Sequence, residues 1–112
     1  MIDVQVLLMP VGRDLYALPV NWVREVVAPS AVTPLATAPA MVLGLFNLRG
    51  EIVALLDTAA LLGIGRVDTT AFTVVLNCPQ GPVGLAATGF PQPALLDRPL
   101  GPSALPGTTW LY

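Results

Sequence analysis

Proline is placed so that no apolar stretch of this chain can become a long helix. Two windows carry no charged residue, Val26 to Leu48 and Thr69 to Leu96. By charge alone each resembles a membrane span. The first holds Pro29, Pro34 and Pro39; the second holds Pro79, Pro82, Pro91 and Pro93. A proline inside a helix removes a hydrogen bond and clashes with the preceding turn, at a cost of about 3 kcal/mol. Windows so interrupted read as short strands and turns inside one domain, with no direct membrane insertion.

The pattern along the chain is consistent with that. Val4 to Pro10 and Leu15 to Val20 flank turn chemistry at Val11-Gly12-Arg13-Asp14, which predicts a hairpin, with Pro19 ending the ladder. Asn21 to Val27 reads as a short turn entering a strand. Ala38 to Val42 is expected as one helical turn with Pro39 near its start. Two apolar runs flank Arg49-Gly50-Glu51, a tight turn in which Gly50 takes a positive φ. Asp57-Thr58 offers an N-cap for Ala59 to Leu62, and Gly63 a stop. Phe72 to Asn77 and Val83 to Thr88 form another hairpin around Cys78 to Pro82. Leu95-Leu96 is expected as a short edge strand. The tail from Pro99 to Thr109 should be extended and partly mobile, with Trp110 and Tyr112 needing somewhere to dock. Turns at regular spacing and no long amphipathic helix point to an all-β fold of small barrels.

Composition narrows the function. Only 11% of residues are charged, against about 25% in ordinary globular proteins. Apolar residues make up 54% and mean hydropathy is +0.74. So thin an ionic coat predicts a surface covered by partners. A net charge of −2 with five arginines and no lysine excludes a phosphate-neutralising stripe, so no nucleic acid is expected. Histidine is absent, which removes the commonest general base and metal ligand. The single cysteine, Cys78, cannot close an internal disulfide and reads as a small buried residue in a reducing cytoplasm. Met1-Ile2-Asp3 lacks the basic start of a signal peptide. No pair of acids has the spacing for proton transfer, and neither catalysis nor a cofactor or metal is expected. A small ligand-binding barrel is the contrasting class; it would require a pocket of convergent polar groups.

The run Leu43-Gly44-Leu45-Phe46-Asn47-Leu48-Arg49-Gly50-Glu51-Ile52-Val53-Ala54-Leu55-Leu56-Asp57 resembles the signature of the CheW-like domain, with Ala54 where that family often has proline. Leu15 to Val20, Val23-Arg24-Glu25-Val26-Val27 and Thr37 to Val42 resemble further family segments upstream. Order and spacing agree from about Val4 to Leu62 and more weakly over Phe72 to Leu76 and Val83 to Ala87. The resemblance implies two SH3-like five-stranded barrels. Residues 1–112 then form a single such domain, with a first part over about 1–62, second-barrel strands over about 69–98 and a tail over 99–112. The family usually continues beyond the point where this chain stops, so the second barrel is expected to be incomplete, with an open edge available for self-association.

The resemblance also implies a non-catalytic cytoplasmic adaptor that couples the cytoplasmic hairpin of chemoreceptors to the regulatory domain of a CheA-type histidine kinase at receptor arrays. A reduced accessory protein of a gliding-motility (Frz-type) chemosensory system, binding only one of the two partners, is the alternative. The expected receptor-binding residues are Trp22, Val23, Glu25 and Arg49, and the expected kinase-binding residues are Phe46, Ile52 and Val53. Asn47, Leu48, Arg49, Gly50 and Asp57 form the structural motif. For Arg49 and Glu25, three readings stand: an ion pair across adjacent elements, a receptor contact, and a turn residue in water. Trp22 is either an interface anchor or a core residue. Gly50 serves either its own backbone angle or the close approach of a partner strand.

Overall fold

A computed structural model describes residues 3–97 and 108–110. Nine strands form two sheets: β1 Asp3–Val11, β2 Asp14–Pro19, β3 Val23–Val27, β4 Val42–Leu48, β5 Glu51–Leu56, β6 Phe72–Cys78, β7 Gly81–Ala87, β8 Gln92–Asp97 and β9 Thr108–Trp110. A 3-10 turn over Val20–Trp22 and one helix, α1 Thr58–Leu61, complete the described elements. The all-β expectation and the hairpins β1–β2, β4–β5 and β6–β7 are all present.

The first sheet has the order β8-β1-β2-β9, and the second the order β3-β6-β7-β5-β4. The two are consistent with halves of SH3-like barrels. The segment expected as second-barrel strands is divided between them. β6 and β7 join β3, β4 and β5, whereas β8 returns to pair with β1. The β5–β7 pairing is parallel, with α1 in the crossover.

Two cores result, and strand periodicity assigns residues to each. Alternate side chains leave opposite faces of a strand. On β6, Val74 joins Leu7, Met9, Val11, Tyr16 and Leu18 between the two sheets. Its neighbour Val75 joins Phe46, Leu48, Val53 and Leu55 inside the second sheet's curl. On β7, Leu85 and Ala87 take the first core and Ala86 the second. Strands buried on both faces read as unbroken apolar runs, which is the pattern of these two segments.

Several local expectations are revised. Ala38 to Val42 makes no helix. Successive turns close there instead, with Ala38 N–H donating to Leu35 O and Val42 N–H to Pro39 O. The β6–β7 turn is tighter than expected, because both strands reach its corner and leave only Pro79 and Gln80 between them. The edge strand at Leu95 runs over six residues, Gln92–Asp97. Thr108–Trp110 is not a free extended tail but a short strand parallel to β2, with Trp110 in register with Ala17. The rest of the tail, 99–107, and Tyr112 lie outside the described residues.

Candidate functional site

The Asn47-Leu48-Arg49-Gly50 motif is a two-residue hairpin turn whose four side-chain choices each have a cause. Arg49 has φ +49° and Gly50 φ +89°. Two successive left-handed residues match the twist of the flanking strands and keep β4 and β5 paired. An added Cβ at Gly50 meets nothing within 4 Å, so the backbone angle, not crowding, calls for glycine here. Asn47 Oδ1 accepts the Gly50 N–H at 2.9 Å and holds the corner. Leu48 turns into the second core. Arg49 is the only non-glycine with positive φ among the described residues. A residue held in that region costs roughly 1 kcal/mol, and such positions cluster where a side chain must be aimed.

Arg49 is aimed at Glu25. Its Nη2 donates to Glu25 Oε2. Glu25 lies on β3, immediately after a bulge. Val23 pairs with Leu76 and Glu25 with Val75, so Arg24 is the extra residue. A bulge breaks strict alternation and re-aims the side chains beside it. Arg24 Nε donates to Asn77 Oδ1 at 2.8 Å, and its Nη1 donates to Glu51 Oε1 at 2.9 Å. Two consecutive β3 residues of opposite charge thus meet two residues of opposite charge around one turn.

Strands β3 and β4 are the two edges of the second sheet. The ion pairs Arg24–Glu51 and Glu25–Arg49 tie the β3 edge to the β4–β5 turn and help roll the sheet into a barrel. Thr33, in the connection between them, covers part of the β4 edge through two backbone bonds to Leu45 of 2.8 and 2.9 Å. These charges remain at the surface, where each pair contributes little to stability. Their consequence is geometric: a banded acid–base surface with fixed positions.

The Arg49 hydrogen bond holds the Glu25 carboxyl below the ordinary carboxylate range, against the opposing effect of burial. A lowered folded-state value stabilises the fold above the unfolded value, and that contribution is lost as pH falls through the folded value. Arg49→Gln is therefore expected to move the Glu25 titration upward toward the ordinary range, which a carboxyl-carbon NMR titration measures.

Sequence-predicted residues divide by burial. Phe46 and Val53 face each other across the β4–β5 ladder and both are buried in the second core rather than at the surface. The next pair, Asn47 and Ile52, points outward, and Ile52 is 60% exposed. Of the trio Phe46, Ile52 and Val53, only Ile52 is exposed. Trp22 and Val23 are half-buried and pack against the core between the sheets. Asp57 is buried and caps α1, its Oδ1 accepting from Ala60 N–H at 3.0 Å and Val67 N–H at 3.1 Å. The roles of Arg24, Glu51 and Asn77 were not read from the sequence; only the charge order Arg24-Glu25 opposite Arg49-Gly50-Glu51 hinted at them. A cavity of about 440 Å³ beside β8 is lined by Gln5, Val6, Val20, Pro93, Ala94 and Leu95, with Gln5 as its one polar side chain. No described helix is long and apolar enough to cross a membrane.

Comparison with known proteins adds a family. The sequence profile of the CheW-like domain matches residues 5–94. A "Chemotaxis protein CheW" of Rhizobium meliloti is 35% identical over 66 residues, covering 59% of this chain and 43% of the relative. A "Probable chemotaxis protein CheW" of Rhizobium etli is 31% identical over 74 residues, covering 66% and 48%. The "Chemotaxis protein CheW" of Treponema pallidum is 38% identical over 53 residues, covering 47% and 31%. The matched segments thus span less than half of each curated relative. In structure, the scaffolding protein TtCheW of Thermoanaerobacter tengcongensis superposes with a TM-score of 0.76 at 22% identity, over 87% of this chain and 64% of that one. That likeness shows the fold.

Proposed function

The chain belongs to the CheW-like domain family, and from that premise we propose that it is a non-catalytic chemotaxis adaptor coupling chemoreceptors to a CheA-type histidine kinase. Its place in the cell is the cytoplasmic side of a receptor array. The observation that carries the reading is the folded Asn47–Gly50 turn, which holds Arg49 against Glu25 on a rigid strand edge. Binding surfaces on rigid elements keep their geometry without ordering costs. The receptor's cytoplasmic hairpin meets the band formed by Arg24, Glu25, Arg49 and Glu51, beside Trp22 and Val23. The kinase's regulatory domain docks on the end of the second sheet, around Ile52. Coupling follows when both partners hold one rigid body, because each then biases the poses open to the other.

Separate pull-downs test the two contacts. Ile52→Asp is expected to reduce capture of the kinase regulatory domain by about tenfold, the scale of one lost interface anchor, while receptor capture is unchanged. Glu25→Arg is expected to reduce receptor capture by a similar factor. The exchange Glu25→Arg with Arg49→Glu restores an ion pair of reversed polarity. If the exchange recovers receptor capture, the pair is structural and the receptor-contact role is wrong. If the wild-type chain captures neither partner, the adaptor reading itself falls.

A further inference from the structure

The chain has five arginines, of which Arg13, Arg24, Arg49 and Arg66 are described. Arg24 and Arg49 are ion-paired. Among the described residues Arg13 and Arg66 form no salt bridge, yet they line one cleft. It has a volume of about 290 Å³, at the small end of ligand pockets, which run from about 300 to 1,000 Å³. One wall is the β1–β2 turn with Arg13; the other is the segment after α1, which carries Ile64, Arg66 and Val67. The floor is apolar, formed by buried Val11 and Ala59.

Two backbone donors in the walls are already assigned. The Gly12 N–H donates to Thr88 Oγ1 at 2.9 Å, and the Val67 N–H donates to Asp57. Arg66 is steadied by one bond, Nη1 to Ala40 O at 3.2 Å, which leaves most of its five donors open. The one acid in the cleft is Asp14; burial, and then the negative charge of Asp14, push the Tyr16 hydroxyl pKa up. The cleft is thus lined by two arginines and one aspartate, over an apolar base. Guanidinium forks match a carboxylate in shape and charge.

We propose that this cleft binds a carboxylate carried on a short apolar body, through Arg13 and Arg66. The site is separate from the Glu25–Arg49 band and does not depend on the adaptor reading. It recognises either a small organic acid or the free end of a peptide that finishes in an apolar residue.

Amide NMR titration of the full chain tests this with N-acetyl-leucine as probe and its neutral methyl amide as control. The acid is expected to shift the Gly12, Arg13, Arg66 and Val67 amides with roughly millimolar affinity, and the amide to leave them in place. Arg13→Gln and Arg66→Gln are each expected to weaken binding by about three- to fivefold, the range of exposed charge pairs. Asp14→Asn is expected to tighten it, because a competing negative charge is removed. A simple loss of folding cannot produce tightening. A tripeptide ending in leucine separates the two sources: equal binding identifies a chain terminus, and exclusion identifies a small acid. Equal shifts from the neutral amide, no shift from the acid, or stronger saturation by inorganic phosphate would overturn the proposal.

Discussion

Gly44→Ala is expected to lower the unfolding free energy by about 3 kcal/mol or more, the upper range for forcing atoms into a packed site. An added Cβ would lie 2.4 Å from Thr33 O and 2.6 Å from Val32 Cγ1. The nearer atom is backbone, and it cannot step aside, because Thr33 is bonded to Leu45 in both directions. Gly44 sits just past a bulge in β4, where Val42 pairs with Leu56 and Gly44 with Leu55. Its φ of +154° adds strain for any larger residue. Gly50→Ala is the comparison, since it meets open space and carries only the left-handed backbone cost of about 1–2 kcal/mol. Urea denaturation of both variants measures the difference. At about 4–8 °C per kcal/mol for a domain near this size, Gly44→Ala should also lower Tm by more than 10 °C. Equal losses in the two variants would show that the Thr33 contact yields.

Asp57→Ala is expected to cost about 2–4 kcal/mol, because two backbone donors lose their acceptor at a buried position, at roughly 1–3 kcal/mol each. One donor is the α1 amide of Ala60, and the other is Val67 N–H, which both carboxylate oxygens reach at 3.1 and 3.2 Å. A single side chain thus caps α1 and fastens the segment ten residues on. Asp57→Asn keeps one oxygen for Ala60 and should cost less than half as much. Amide hydrogen exchange separates the two functions. In Asp57→Ala, protection should fall at both Ala60 and Val67, whereas an isolated capping role would affect Ala60 alone.

How much of this was readable beforehand depends on whether the cause was local. The β4–β5 turn was legible because Gly50 follows three residues after Asn47 between apolar runs. The Asp57 cap was legible because cap, helix and stop lie within seven residues. The Glu25–Arg49 pairing was one of several readings of two charges in a chain that has few. The Arg24 contacts were not legible, since they need the bulge that gives β3 one extra residue, and nothing in Val-Arg-Glu-Val-Val marks it. The burial of Phe46 and Val53 was not legible for a related reason. In an apolar run the inward and outward faces look alike, and only the register that pairs Phe46 with Val53 fixes which is which. The parallel pairing of β5 with β7 and the return of β8 to β1 are long-range choices made by the core.

That return has a consequence for how the molecule is made. The second sheet is drawn from one uninterrupted stretch, Val23 to Ala87, so a ribosome can deliver all of it in sequence. The first sheet brackets that stretch, with Asp3 opposite Asp97. Its opening hairpin must wait, through synthesis of the whole intervening barrel, for β8 to emerge. Sequence separation of this kind slows the final closure. Until then the β1 edge that β8 covers stands unpaired on the nascent chain, open to pairing with another strand.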